Sequence, residues 1–179
     1  MEVQLWGREQ AQAHASEIFC VYDAVFGDHP NEQQWRDQLY DRHCARDGFR
    51  LSVALDGDKL VGFAWGFVGQ RGQYWPDRVA LALPKDVTDE WVGGHFEFVE
   101  LAVLPQYRGR GLGGRLHDVL LEGVLQPRAM LSTDNDDSPA SRLYAGRGWR
   151  KLGELDEHTQ VMGLVRLSAD SGQELAAGA

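Results

Sequence analysis

A chain of 179 residues can fill one substantial core but is short for two ordinary domains. Hydrophobic residues at 43% and charged residues at 25% are the proportions of a folded globular protein and exclude wholesale disorder. A formal net charge of −9 argues against nonspecific nucleic-acid binding, which needs a basic face, and is compatible with a cationic amine substrate.

Glu2 to Trp6 reads as a short strand with Val3 and Leu5 on one face. From Arg8 to about Phe26, Ala11, Ala15, Ile18, Phe19, Tyr22 and Val25 recur at helical spacing, and Gly27-Asp28-His29-Pro30 ends that helix. Asn31 can cap a second helix that runs through Trp35, Leu39 and Tyr40 to Arg46 and stops at Asp47-Gly48. Phe49 to Leu55 and Leu60 to Val68 then form a hairpin about Asp56-Gly57-Asp58-Lys59, with Gly62 and Gly66 indicating a bulge or a close backbone approach. The stretch from Gly69 to Gly94 is the least legible, with a short helix expected near Lys85 to Val92. Its Trp75 and Trp91 either line a substrate pocket or cover the core.

The organising stretch follows. Phe96 to Leu104 alternates as a strand that Pro105 terminates, Tyr107 to Gly114 is a glycine- and arginine-rich turn, and Leu112, Leu116, Val119 and Leu120 mark one face of a helix. Gly109, Gly111, Gly113 and Gly114 allow a close backbone approach, and the helix start leaves N–H groups aimed outward. With Arg108, Arg110 and Arg115 these donors make a candidate anion site, suited to a pyrophosphate. No Gly-Lys-Ser/Thr of a P-loop is present. Arg128 to Thr133 is a further strand, Asp134 to Pro139 a turn, and Ala140, Leu143 and Tyr144 a helix face broken by Gly146-Arg147-Gly148. Trp149 to Leu155 and Thr159 to Leu167 close the fold, and Ser168 to Ala179 reads as a frayed tail.

Arg108-x-x-Gly111-x-Gly113, after an apolar strand and before an amphipathic helix, resembles the acetyl-CoA signature of the GCN5-related N-acetyltransferases, the GNAT superfamily. Ala140-Ser141-Arg142-Leu143-Tyr144 followed by Gly148-Trp149 resembles a second family pattern, and the two cover about residues 49 to 167. The family often has asparagine where this chain has Asp137; Asn135 is the alternative for that contact. The resemblance implies a single α/β domain over 1–167, with residues 168–179 a flexible tail. Its sheet is mixed but mostly antiparallel, of six to seven strands flanked by helices, with a splay between two parallel central strands.

It further implies acetyl-CoA as cosubstrate and direct acetyl transfer to a primary amine. The acceptor is expected to be a small molecule, with a peptide or protein as the wider class. The pantetheine arm is expected along the backbone of Leu101, Ala102 and Val103. The pyrophosphate is expected on the N–H groups of Arg108, Gly109, Arg110, Gly111, Leu112 and Gly113, with Gly114 beside them. Glu100 shares strand alternation with Phe96, Phe98 and Ala102, so it is the first candidate base, raised in pKa by apolar neighbours; Glu97, expected on the other face, is the second. Tyr144 is the candidate acid for the departing thiolate, or else a core residue. His95 is a weaker base candidate and reads as a strand-end residue, and His117 and Asp118 read as structural or solvent-facing. An acyl-CoA-sensing module without turnover and a nucleotide-binding α/β domain are the competing readings.

Cys20 and Cys44 form no Cys-x-x-Cys pair and the six histidines no His-Glu-x-x-His, so reduced thiols and no metal are expected. No apolar run of membrane-spanning length and no basic-then-apolar leader occurs, so a cytoplasmic monomer or homodimer is expected, with no membrane or nucleic-acid partner.

Overall fold

Alternating and continuous apolar runs become seven strands: β1 (Glu2–Trp6), β2 (Arg50–Asp56), β3 (Lys59–Gly69), β4 (His95–Val103), β5 (Arg128–Asp134), β6 (Arg150–Glu154) and β7 (Thr159–Val165). In the computed structural model, which describes residues 1–166, they form one sheet in the order β1-β2-β3-β4-β5-β7-β6. The expected tail Ser168–Ala179 lies outside the described residues. Every neighbouring pair is antiparallel except β4 and β5. That parallel ladder is short: Phe96 pairs with Ala129 and Glu97 with Met130, after which the strands part.

Helices cover both faces. The expected single first helix is two, α1 (Arg8–Ala13) and α2 (Ala15–Val25), because His14 leaves helical geometry at φ −109° and its ring lies 4.8 Å from Trp6. Asn31 caps α3 (Glu32–Trp35), its side chain accepting the Gln34 N–H at 3.0 Å. A π turn (Arg36–Tyr40) then leads into α4 (Asp41–Cys44). The wider turn brings residues five apart together, so Tyr40 stacks on Trp35 at 4.3 Å while its hydroxyl donates to the Ala11 carbonyl at 2.9 Å. Between β3 and β4 stand α5 (Tyr74–Ala82) and α6 (Lys85–Trp91), where the sequence indicates only the second. Pro76 falls in the first turn of α5, where its missing N–H would have no helical acceptor anyway.

On the far face lie α7 (Leu112–Leu121) and α8 (Pro139–Ala145), the latter capped by Ser138, which accepts the Ser141 N–H at 3.1 Å. The Ser52 hydroxyl donates to the Leu116 carbonyl on α7 at 2.8 Å, whereas Trp65 stacks on Tyr22 of α2, which places these helices on opposite faces. The main core joins Ile18, Trp35, Phe63, Trp65, Phe96 and Leu116, all fully buried. A smaller one gathers Val79, Trp91, Met130 and Val161 beneath α5 and α6. Trp91 therefore covers a core, while Trp75 belongs to the pocket below. Among the described residues no helix is long and apolar enough to cross a membrane.

Candidate active site

The site begins with one irregularity in β4. Glu97 pairs with Phe67 and Phe98 with Gly66, but Glu100 pairs with Trp65, so Val99 is an extra residue in the ladder. Such a bulge reverses the alternation beyond it. Glu97 and Glu100 therefore point to the same face as Phe67 and Trp65, whereas uninterrupted alternation would place them on opposite faces. Gly66 permits this close pairing, because a β-carbon there would lie 2.4 Å from the Glu97 carbonyl oxygen.

Where β4 and β5 part, a pocket of about 260 Å³ is lined by His43, Tyr74, Trp75, Glu97, Glu100 and Ser132, among others. The Trp75 indole N–H donates to the Ser132 hydroxyl at 3.2 Å, linking α5 to β5 across it. Burial pushes Glu97 up to about 8, opposed by the Arg46 cation. Burial also pushes Glu100 up to about 8, and the Asp28 carboxylate adds to the rise. Both carboxyls are thereby raised toward the range useful to a general base near neutral pH. His43, which no sequence motif marks, lines the pocket with them. It accepts the Trp65 indole N–H at Nδ1 (3.3 Å), and burial holds it uncharged, its pKa down at about 4. Among the described residues no group of three or more His, Cys, Asp or Glu is placed to hold a metal ion.

The glycine turn lies at the other end of β4. Its φ of +75° puts Gly111 in the left-handed region, and α7 begins directly after it without a side-chain cap. Among the described residues, the N–H groups of Gly109, Arg110, Gly111, Leu112, Gly113 and Gly114 meet no acceptor, which leaves a row of donors at the helix start. Arg108 differs from the expectation: its N–H bonds the Pro105 carbonyl at 3.2 Å and its guanidinium the Val103 carbonyl at 3.0 Å. Arg110 lies over the Tyr107 ring, and Arg115 reaches the Met1 carbonyl, so the three cations do not converge. Asn135 accepts from Lys151 at 3.0 Å, and Asp137 pairs with Arg142 at 3.0 Å. Gly111→Ala is expected to cost about 1–2 kcal/mol, the penalty of a side chain in the left-handed region, a loss that thermal unfolding would read.

Along β4, the Leu104 N–H bonds Val61 of β3 at 2.9 Å. Alternation then turns the backbone of Ala102 toward β3 and that of Leu101 and Val103 toward the gap. Tyr144 sits behind the gap, its ring 5.8 Å from Phe98 and 5.9 Å from Trp149. Burial and then the Glu100 carboxylate raise its phenol well above the ordinary value, so it keeps its proton. His117 is buried between them: it accepts the Trp149 indole N–H at 2.9 Å and contacts Asp118 at 2.8 Å, and Asp118 pairs with Arg147 at 2.7 Å. These four side chains tie α7 to the chain after α8.

The model of the acetyltransferase (GNAT) family matches residues 15–149. A GCN5-like protein acetyltransferase of Mycobacterium tuberculosis is 36% identical over 113 residues, covering 59% of this chain and 52% of its own length, so the chain spans about half of that relative. A crystal structure of a Pyrococcus horikoshii OT3 protein has a TM-score of 0.67 at 17% identity, over 93% of this chain and 99% of the other. A chain of the NatC complex, solved with Gag peptide and CoA, has a TM-score of 0.61 at 17% identity, over 93% and 100%. At such identities the two structures speak for the fold alone. With most of its length matched by the family model, and with parted parallel strands and a glycine turn ahead of α7, the chain belongs to the GNAT acetyltransferase family.

Proposed function

We propose that the chain transfers an acetyl group from acetyl-CoA directly to a primary amine held where β4 and β5 part. The observation that carries this is the Val99 bulge, which aims two carboxyls of raised pKa into that pocket. Acetyl-CoA supplies the acetyl group as a reactive thioester. The unpaired N–H row from Gly109 to Gly114 suits its pyrophosphate, and the gap-facing N–H groups of Leu101 and Val103 suit the pantetheine and the thioester oxygen. One of the two carboxylates, Glu97 or Glu100, takes the proton from the acceptor ammonium and frees a lone pair for attack. Tyr144, protonated throughout the working range, gives its proton to the departing thiolate.

The acceptor is a small-molecule amine or an amine on a peptide or protein. The pocket volume of about 260 Å³ suits a single slender amine-bearing chain, and the name of the M. tuberculosis relative supports the wider class. Acceptor-dependent thiol release over a panel of amines and lysine peptides is the test. Tight acetyl-CoA binding without such release would point to a sensor, and preference for ATP or NAD over CoA would overturn both readings. Tyr144→Phe is expected to lower kcat by about 10²-fold while leaving acetyl-CoA affinity intact. An unaltered rate would return Tyr144 to a core role.

A further inference from the structure

Two buried polar atoms beside the pocket have no hydrogen-bond partner: His95 Nε2 and Glu97 Oε2. They face each other 4.0 Å apart, their side chains 0% and 8% exposed. Buried polar groups are rarely left unpaired, so an orphaned pair at a candidate site calls for a reason. The His95 tautomer supplies one. The Gly93 N–H points at His95 Nδ1 from 3.1 Å, which makes Nδ1 the acceptor and places the ring proton on Nε2, directed at Glu97. Gly69, paired with His95 across β3 and β4, leaves the two within reach: a β-carbon there would come 2.4 Å from Nε2 and 3.0 Å from Oε2. A modest side-chain rotation closes 4.0 Å to a hydrogen bond.

We propose that His95 is a positioning residue that donates its Nε2–H to the Glu97 carboxylate, so that Glu97 rather than Glu100 carries the charge and takes the acceptor's proton. This rests on the acetyltransferase reading above. The surrounding groups favour the same division. Arg46 stabilises an anion at Glu97, whereas Asp28 opposes one at Glu100. His43 and Tyr74 complete the pocket wall. The His43 and His95 rings are uncharged, the latter held so by burial and by Arg128. In the proton step the acceptor's N–H bond breaks, the proton joins a Glu97 oxygen, and the amine keeps the electron pair.

Two substitutions in the full chain separate positioning from mere support. In His95→Asn the shorter amide can still accept the Gly93 N–H in place of Nδ1 but cannot reach Glu97; in His95→Gln the longer amide keeps a donor near the position of Nε2. Carbon NMR of the Glu97 carboxyl in the free protein and the acid limb of kcat/KM are then followed against pH. Asn is expected to move both midpoints up by roughly one pH unit, a tenfold change in carboxylate population, while Gln leaves them near the parent. Any other order, including equal shifts or none, overturns the proposal. Should the chain transfer no acetyl group at all, the NMR titration alone still decides the role of His95, and only the acetyltransferase reading fails.

Discussion

Replacing Glu97 and Glu100 together by glutamine is expected to lower kcat/KM for amine acetylation by about 10²–10⁴-fold, the usual share of a positioned acid or base. Acetyl-CoA affinity should hold, because neither side chain lies on the glycine turn. The same variant is expected to be more stable than its parent at high pH. Each carboxyl moves from an ordinary 4.5 to about 8 on folding, so between those values the folded chain binds protons that the unfolded chain has released. Parent stability therefore falls as pH rises through that window, and the glutamine variant escapes the loss. Its advantage should be absent below about pH 4.5 and complete above about pH 8. The buried histidines act in the opposite direction: His43 and His95 fall from 6.5 to about 4, so they withdraw stability as pH drops through that interval. Thermal melts across pH read both effects. A parent that outlasts the double variant at pH 9 would show that these carboxyls are not held at a cost to the fold, and the site assignment would lose its main support.

Gly66→Ala is expected to destabilise the chain by about 3 kcal/mol, the upper range for overpacking. The new β-carbon would meet the Glu97 carbonyl oxygen at 2.4 Å and the Phe96 ring at 2.6 Å. One of these is backbone of the adjacent strand, so relief requires moving β3 away from β4 at the bulge. For a chain of this size that cost lowers Tm by roughly 6–12 °C. Catalysis should suffer in addition, since β4, the strand parted from β3 at the bulge, carries both glutamates. A melting temperature within about 2 °C of the parent would mean that the ladder yields easily there, and the bulge would not be the rigid frame assumed for the carboxyls.

Several elements are legible without coordinates. The hairpin about Asp56-Gly57, the glycine turn with its helix, and the turn from Asp134 to Pro139 ahead of the next helix each rest on residues close in sequence, and the structure forms all three. The elements that escape the sequence depend on distant partners. The π turn forms where Tyr40 can stack on Trp35 and bond Ala11, which lies 29 residues away. Trp75 and Trp91 look alike in the sequence, yet one links α5 to Ser132 of β5 and the other fills a core against Met130 and Val161. His43 carries no motif at all; its role follows from Trp65, 22 residues on.

The sequence by itself determines the order of the seven strands, the donor row ahead of α7, and membership of the family, because turn chemistry, hydrophobic period and helix starts act over a few residues. Only the tertiary structure decides that Glu97 and Glu100 share one pocket. Alternation along an isolated strand separates them, and the extra residue at Val99 becomes visible only when β3 is laid beside β4. Their raised affinity for protons has the same origin, for desolvation is a property of what surrounds a group and not of its neighbours in the chain.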